Sequence, residues 1–305
     1  MKLDYTRIES VIDVPRMERS RVAIVGVGGA ADLARDLVRC GCGHLILIDP
    51  DKVEPLNIPR QGYAVPDIGI PKVEALAQDL RRINSDVVVT PWAADFCALS
   101  DEDVRHHLAD VNLLILATDN FRAQAKGNEV ALQYGLPAVW IALYEGGLAG
   151  EAAFWHPGLD SCWRCLCAGR YSAHENGTAA PVTSRGASIL DVRHVDGIAG
   201  MLSVGLLTSG ANNRYGKLIA QLGDRNFLQI KIDPTFTWGA RDIFREQLEI
   251  PDDCDRYFSF VTIARRDPDR GQLPCRDCQR YRGHTFEQTA DGYRRLKPGW
   301  IAAAS

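Results

Sequence analysis

The first half of the chain alternates short apolar runs with amphipathic stretches, and this alternation restricts the fold more than any other sequence feature. The apolar runs are rich in Val, Ile and Leu, which favours buried strands, and the stretches between them carry apolar residues at helical spacing. Such an order predicts a parallel α/β sheet with right-handed crossovers. The predicted strands are 22–27, 44–49, 86–92, 111–118 and 137–143, and the predicted helices are 31–41, 72–83 and 121–135.

The pattern changes after Gly146. Residues 147–158 predict an antiparallel segment, and residues 168–188 lack periodicity, which favours an exposed or mobile loop. Residues 189–211 predict a buried helix rich in small residues, and 227–238 a late strand or hairpin. We therefore expect an α/β fold, with a Rossmann-like, mainly parallel sheet flanked by helices and a C-terminal antiparallel extension.

Composition narrows the class of partner. Of 305 residues, 46% are hydrophobic and 24% charged, as in soluble globular proteins, and the formal charge of −4 argues against a nucleic-acid partner. The N-terminus MKLDYTRIES lacks a signal pattern, and no apolar run reaches the roughly 18 residues that span a membrane. We expect a cytoplasmic protein without a membrane partner.

A glycine-rich turn follows the first predicted strand. The segment GVGGAADLA begins at Gly26 and leads into the first predicted helix, whose N-terminal N–H groups can hold phosphate oxygens. Gly26 and Gly28 permit a tight turn, and Ala31 stands where a third glycine is usual. Asp49 ends the next strand, where a carboxylate can accept hydrogen bonds from ribose hydroxyls. These residues predict a nucleotide site.

The residues after this aspartate indicate which nucleotide is bound. Asn57, Arg60 and Gln61 lie in one loop, and Lys72 begins the following helix. Such donors suit a triphosphate, whereas an NAD-dependent oxidoreductase leaves Arg60 and Lys72 without a role. Asp119 ends another strand, where a carboxylate beside a triphosphate is a natural magnesium ligand. We expect ATP and Mg²⁺.

Nine cysteines are present, and four of them form two Cys-x-x-Cys pairs. Four thiolates are what a tetrahedral structural zinc site requires, and redox use of one pair is the alternative. A metal here would join the late part of the chain to the nucleotide half. The expected zinc ligands are Cys162, Cys165, Cys275 and Cys278.

The motifs GVGGAA, LIDPDKVEPLNIPRQ, GIPKVEAL and ATDNF, with the two cysteine pairs, extend from about residue 20 to about residue 280. In this order they resemble the ubiquitin-activating-enzyme superfamily, in particular its bacterial ThiF/MoeB-type adenylyltransferases. The resemblance implies that ATP and magnesium activate the C-terminal carboxylate of a ubiquitin-like protein or peptide as an acyl-adenylate. It also implies a homodimer.

The resemblance assigns roles to residues of this chain. Asp49 would hold ribose, Asn57, Arg60 and Lys72 would hold phosphates, Gln61 would close their loop, and Asp119 would hold magnesium. Arg7 lies near where relatives lend an arginine to the partner subunit, although its flanking pattern is missing. The expected nucleotide site consists of Gly26, Gly28, Gly29, Asp49, Asp51, Asn57, Arg60, Gln61, Lys72, Asp119 and Asn120. The expected catalytic residues are Arg60, Lys72, Asp119, Ser184 and Arg7.

Two positions depart from the superfamily pattern. Relatives often carry an arginine five residues after the magnesium aspartate, where this chain has Gln124; Arg122 or Lys126 could replace it. Relatives that pass the activated protein onward often have a cysteine in the loop after the first cysteine pair, where this chain has Ser184. Either the enzyme stops at the adenylate, or Ser184 carries an oxyester. Thr183 and Ser188 are alternatives in that loop, with His174, Arg185 and His194 as candidate orienting groups.

Several functions remain open at this level. The first is activation of a ubiquitin-like protein with a conjugating-enzyme-like partner, as the resemblance to activating enzymes of bacterial operons implies. The second is adenylation of a peptide or RNA in an antibiotic or sulfur-carrier pathway, and another is a non-catalytic scaffold subunit. The expected organisation is an N-terminal arm at 1–20, a nucleotide-binding half at 21–147, a zinc-clipped half at 148–285 with a crossover loop at 168–187, and a tail at 286–305.

Overall fold

The structure is a computed structural model, and it describes residues 3–108, 110–180, 186–237, 261–266, 274–281, 286–289 and 292–295. The strands are β1 Arg21–Val25, β2 His44–Ile48, β3 Val88–Trp92, β4 Leu113–Leu116, β5 Ala138–Leu143, β6 Ala149–Trp155, β7 Phe227–Lys231, β8 Val261–Arg265, β9 Phe286–Thr289 and β10 Gly292–Arg295. The helices are α1 Val14–Glu18, α2 Ala31–Arg39, α3 Lys72–Ile83, α4 Asp101–Leu108, α5 Phe121–Tyr134, α6 Trp163–Leu166, α7 Ala168–Glu175, α8 Ile189–Leu207, α9 Arg214–Leu222 and α10 Arg276–Tyr281.

The first eight strands form one sheet in the order β3-β2-β1-β4-β5-β6-β7-β8. The five strands from β3 to β5 are parallel, as the sequence predicts. The chain moves from β1 outward to β2 and β3, then returns to place β4 on the other side of β1. Connections therefore leave β1 and β4 in opposite directions, which opens a crevice at the carboxyl ends of these two strands.

The C-terminal extension of the sheet is antiparallel, which confirms the predicted fold class. β6 pairs with β5, β7 with β6, and β8 with β7. The strands before and after residue 147 therefore belong to one continuous hydrogen-bonded sheet. β9 and β10 form a separate antiparallel pair.

Helices cover the parallel part of the sheet. All residues of β4 are buried, as expected for a strand with both faces covered. On α2, Leu33, Leu37 and Val38 form the buried face, and α8 packs against α2 and β5. None of the helices in the described ranges combines the length and apolar character that crossing a bilayer requires.

The prediction of an aperiodic loop over residues 168–188 is wrong for its first part, which forms α7. Tyr171 of this helix is buried and makes edge contacts with the rings of Phe121 and Trp163. These contacts join segments that are distant in sequence, so the local pattern does not reveal them. Residues 181–185, which include Ser184, lie outside the described residues.

Candidate functional site

A cavity of about 780 Å³ opens at the carboxyl ends of β1, β2, β4 and β5. It contains the crevice between β1 and β4, the place where open α/β sheets bind ligands. The structure brings together every predicted nucleotide residue except Asn120. The predicted residues that line the cavity are Gly26, Gly28, Gly29, Asp49, Asp51, Asn57, Arg60, Gln61, Lys72 and Asp119.

The glycine turn is closely packed at Gly26 and at Gly28. Gly26 has a φ of 84°, and a Cβ there would lie 2.6 Å from the carbonyl oxygen of Ala117 after β4. A Cβ at Gly28 would lie 2.9 Å from the side-chain nitrogen of Gln61. Because α2 begins directly afterwards at Ala31, the unpaired N–H groups of its first turn lie beside the cavity.

Asp49 is fixed at the end of β2. Its Oδ2 accepts a hydrogen bond from the Val27 N–H and its Oδ1 one from the Asp51 N–H, both at 2.9 Å. Burial raises the pKa of the Asp49 carboxyl, while Lys72 and the two N–H groups oppose that rise. Each oxygen has a second lone pair, so this carboxylate can still accept bonds from ribose hydroxyls.

Lys72 presents a buried ammonium group to the cavity. Its Nζ lies 2.8 Å from Oδ2 of Asp51, and the side chains are 7% and 63% exposed. A buried ammonium needs an anion nearby, because its transfer out of water is costly. Since Asp51 is mostly exposed, an anionic ligand can replace it as the partner of Lys72.

The loop after β2 is held in a defined shape. Asn57 is buried, and its Oδ1 accepts a hydrogen bond of 2.8 Å from the Glu54 N–H. The Tyr63 hydroxyl donates to the Val27 carbonyl oxygen at 2.7 Å, which ties the end of the loop to the glycine turn. Among the residues that the structure describes, Oε1 of Gln61 is buried without a hydrogen-bond partner. Gln61 therefore keeps an acceptor for a ligand.

The residues after β4 have separate tasks. Asp119 is exposed and lines the cavity. Asn120 instead caps α5, since its Oδ1 accepts hydrogen bonds from the N–H groups of Arg122 and Ala123 at 2.9 and 3.3 Å. Gln124 is buried and donates from Nε2 to the Thr118 carbonyl oxygen at 2.8 Å. It supports the loop that carries Asp119.

Arg7, Lys126 and Ser188 do not line this cavity. Arg7 is exposed on the N-terminal segment and does not line this cavity. Lys126 donates to the carbonyl oxygens of Leu99 and Cys97, so it does not replace the missing arginine. Ser188 caps α8, where its Oγ donates to Asp191 at 2.8 Å.

Two further groups line the same cavity; the sequence analysis named His174 as a candidate orienting group but gave no role to Phe121 or Arg170. The rings of Phe121 and His174 stack with centroids 3.7 Å apart. At the end of β5, Arg170 donates two hydrogen bonds to the buried carboxylate of Glu151, at 2.8 and 3.0 Å, and Tyr144 donates a third. Phe121 adjoins the ATDN motif and could have been included, whereas Arg170 lies in the stretch expected to be a loop.

The four predicted zinc ligands form one cluster. Their sulfur atoms all lie within 4.8 Å of one another. Sγ of Cys162 is 3.5 Å from that of Cys275, and Sγ of Cys165 is 3.8 Å from that of Cys278. Tetrahedral zinc with Zn–S bonds of about 2.3 Å places its sulfurs about 3.8 Å apart, so the cluster fits this ion. Cys167 is buried but lies outside the cluster.

Hydrogen bonds attach both cysteine pairs to α5. The buried side chain of Asn128 accepts a bond of 3.1 Å from the Trp163 N–H and donates one of 2.9 Å to Asp277. Trp163 and Asp277 lie inside the first and second pair. The cluster therefore joins the late segment to the nucleotide half, as expected for a structural metal site.

Comparison with known proteins identifies the family. Residues 8–234 match the model of the ThiF family. The chain belongs to the ThiF family. This confirms the resemblance to the ThiF/MoeB-type superfamily that the motifs indicate.

Curated proteins from two insects are similar to part of the chain. Ubiquitin-like modifier-activating enzyme 5 of Drosophila mojavensis is 34% identical over 169 residues, which cover 52% of this chain and 42% of that protein. The corresponding protein of Aedes aegypti is 31% identical over 169 residues, 52% of this chain and 43% of that protein. The chain thus spans less than half the length of these curated relatives.

Solved structures share the fold. E. coli MccB with AMPCPP and MccA has a TM-score of 0.58 and 16% identity, over 84% of this chain and 67% of the MccB chain. PaaA has a TM-score of 0.55 and 21% identity, over 71% of this chain and 70% of its own. At such identities the likeness concerns the fold alone.

Proposed function

We propose that this chain uses ATP and magnesium to adenylate the C-terminal carboxylate of a ubiquitin-like protein, and that its four-cysteine cluster holds a structural zinc ion. One observation carries the proposal. Asp49, Arg60 and Lys72 lie along the connection from β2 to α3 and Asp119 follows β4, yet all four line a single cavity beside the glycine turn. Activation by ATP requires a carboxylate for the ribose, two cations for the phosphates and a second carboxylate for magnesium.

The chemistry follows from this charge arrangement. A carboxylate oxygen of the polypeptide attacks the α-phosphorus of ATP, the bond from that phosphorus to the bridging oxygen breaks, and pyrophosphate leaves. Lys72 and Arg60 stabilise the charge on the departing pyrophosphate, and Asp49 holds the ribose. Asp119 would hold magnesium, whose charge neutralises phosphate oxygens when it is bound.

The ubiquitin-like substrate is supported by the sequence similarity to ubiquitin-like modifier-activating enzyme 5. A shorter peptide is the second candidate, supported by the fold shared with MccB over 84% of this chain. The proposal includes a cytoplasmic homodimer in which Arg7 serves the partner's site. It also includes a conjugating-enzyme-like acceptor.

ATP–pyrophosphate exchange tests the proposed reaction. The purified chain with Mg-ATP should exchange labelled pyrophosphate when a candidate ubiquitin-like protein or peptide with a free C-terminus is added. The same polypeptide with an amidated C-terminus should give no exchange, because it lacks the attacking oxygen. Failure to bind ATP, or binding of NAD in its place, would overturn the proposal.

Acyl transfer to Ser184 has its own test. If Ser184 attacks the adenylate, mass spectrometry should detect an adduct between the chain and its substrate that hydroxylamine cleaves as an ester. We expect Ser184→Ala to abolish the adduct, while Ser188→Ala retains it because Ser188 serves as the cap of α8. An adduct that persists in Ser184→Ala excludes Ser184 as the acceptor, whereas a parent chain that forms no adduct would make adenylation the last covalent step on this chain.

A further inference from the structure

Asp196 is a buried acid in the nucleotide cavity to which no role has been given. It lies in the middle of α8 and is 6% exposed. It lines the cavity together with Gly29 and Ala30 of the glycine turn and with Val192 and Val195 of its own helix. A carboxyl group is thus held among apolar side chains at the place where the fold offers N–H groups to a phosphate.

One oxygen of Asp196 has no partner within the described part of the protein. Its Oδ2 is buried and has no hydrogen-bond partner among the residues that the structure describes. The cations nearby are already paired, since Arg193 lies 2.7 Å from Asp32, and Arg35 contacts both Asp32 and Asp79. A buried polar atom that lines a cavity and lacks a partner in the protein points to a partner in the ligand.

The surroundings determine the protonation state of this acid. Burial raises the pKa of Asp196 well above its ordinary value, and the negative charges of Asp32 and Asp36 raise it further. The Leu33 N–H and Arg193 oppose this rise without cancelling it. The raised pKa favours the protonated form of Asp196, and a protonated carboxyl group has a hydrogen to donate.

We propose that Asp196 donates a hydrogen bond from Oδ2 to a phosphate oxygen of the nucleotide at the glycine turn. Asp196 is then a further nucleotide-binding residue, and the inference rests on the proposed function because it requires a phosphate ligand. An ionised carboxylate at this place would repel the phosphate, so the apolar neighbours Val192 and Val195 serve to keep the acid neutral.

Calorimetric binding of ATP, AMP and adenosine to the full chain at pH 7 tests this contact without knowledge of the polypeptide substrate. We expect Asp196→Ala to weaken the binding of ATP and of AMP about tenfold or more, the usual effect of losing a hydrogen bond to a charged group. Adenosine should bind as it does to the parent chain, because it has no phosphate. Asp196→Asn should retain most of the affinity, since an amide also donates a hydrogen bond.

A matched control separates the contact from a general charge effect. Asp110→Asn removes an exposed carboxylate that neither lines the cavity nor acts on the pKa of Asp196, so AMP affinity should stay unchanged. Thermal melting of every variant checks that each is folded.

Three outcomes would overturn the inference: unchanged or tighter binding of AMP to Asp196→Ala, an equal loss for adenosine, or an equal loss in Asp110→Asn. If the parent chain binds no adenine nucleotide, the proposed function itself fails. If it binds ATP and Asp196→Ala binds equally well, only the role of Asp196 is rejected.

Discussion

Replacing Lys72 by alanine is expected to reduce ATP–pyrophosphate exchange about a hundredfold to a thousandfold, the usual cost of losing one preorganised group that stabilises transition-state charge. The Lys72 side chain is 7% exposed, so water does not screen its charge effectively. No other ammonium of the described residues lies as deep in this cavity: Lys52, which also lines it, is exposed. The effect is measured as the rate of ATP–pyrophosphate exchange at a saturating concentration of the polypeptide substrate.

Two control variants separate the effect of losing the Lys72 charge from any loss of stability in α3. Arg82→Ala removes a cation from the same helix, but its side chain is 77% exposed, so exchange should stay close to that of the parent. Asp51→Ala removes the present partner of Lys72 and should leave most of the activity, because the phosphate takes its place. A Lys72→Ala variant that exchanges pyrophosphate at a near-normal rate would exclude the proposed role.

Replacing Cys165 by serine is expected to remove the metal and to lower the melting temperature markedly. Structural zinc contributes about 10–16 kcal/mol of binding free energy in zinc-finger peptides at neutral pH, although this chain has a large core besides its cluster. Metal analysis should find about one zinc ion per parent chain and much less in the variant. Limited proteolysis should then cut near α10, which carries the second cysteine pair.

Cys167→Ser is the matched control for this experiment. Cys167 is as buried as the zinc ligands, but its sulfur lies outside the cluster. We expect this variant to keep its zinc even if the buried hydroxyl lowers its stability somewhat. Equal zinc loss in both variants, or a parent chain without zinc, would contradict the assignment.

Much of the fold could be predicted because its signals are local. The apolar runs before Gly26 and Asp49 are strands buried at four of their five residues, so the continuous apolar run predicts each of them directly. The cysteine pairs could be matched to one another because zinc needs four ligands and each pair supplies two. The strand at Val261–Arg265 was missed, since it depends on pairing with β7 rather than on its own pattern.

The site was harder to predict where a side chain acts through distant partners. Asn120 sits in the right motif, yet its oxygen is used to cap α5, a competition that sequence spacing cannot resolve. Asp196 looks like an ordinary helix residue in the sequence, and only the tertiary packing of α8 against α2 buries it beside the glycine turn. Burial of an acid is a property of the assembled fold, which no local pattern encodes.

The pairing of β5 with β6 has a consequence for how this chain can be divided. Six consecutive residue pairs join Ala138–Leu143 to Gly150–Trp155, directly behind the cavity. A fragment cut at residue 147 would expose the apolar edge of β5 to solvent, and such an edge recruits other strands and aggregates. The portion before residue 147 is therefore not an independent module: swaps between relatives must exchange the whole sheet or stay within its surface loops.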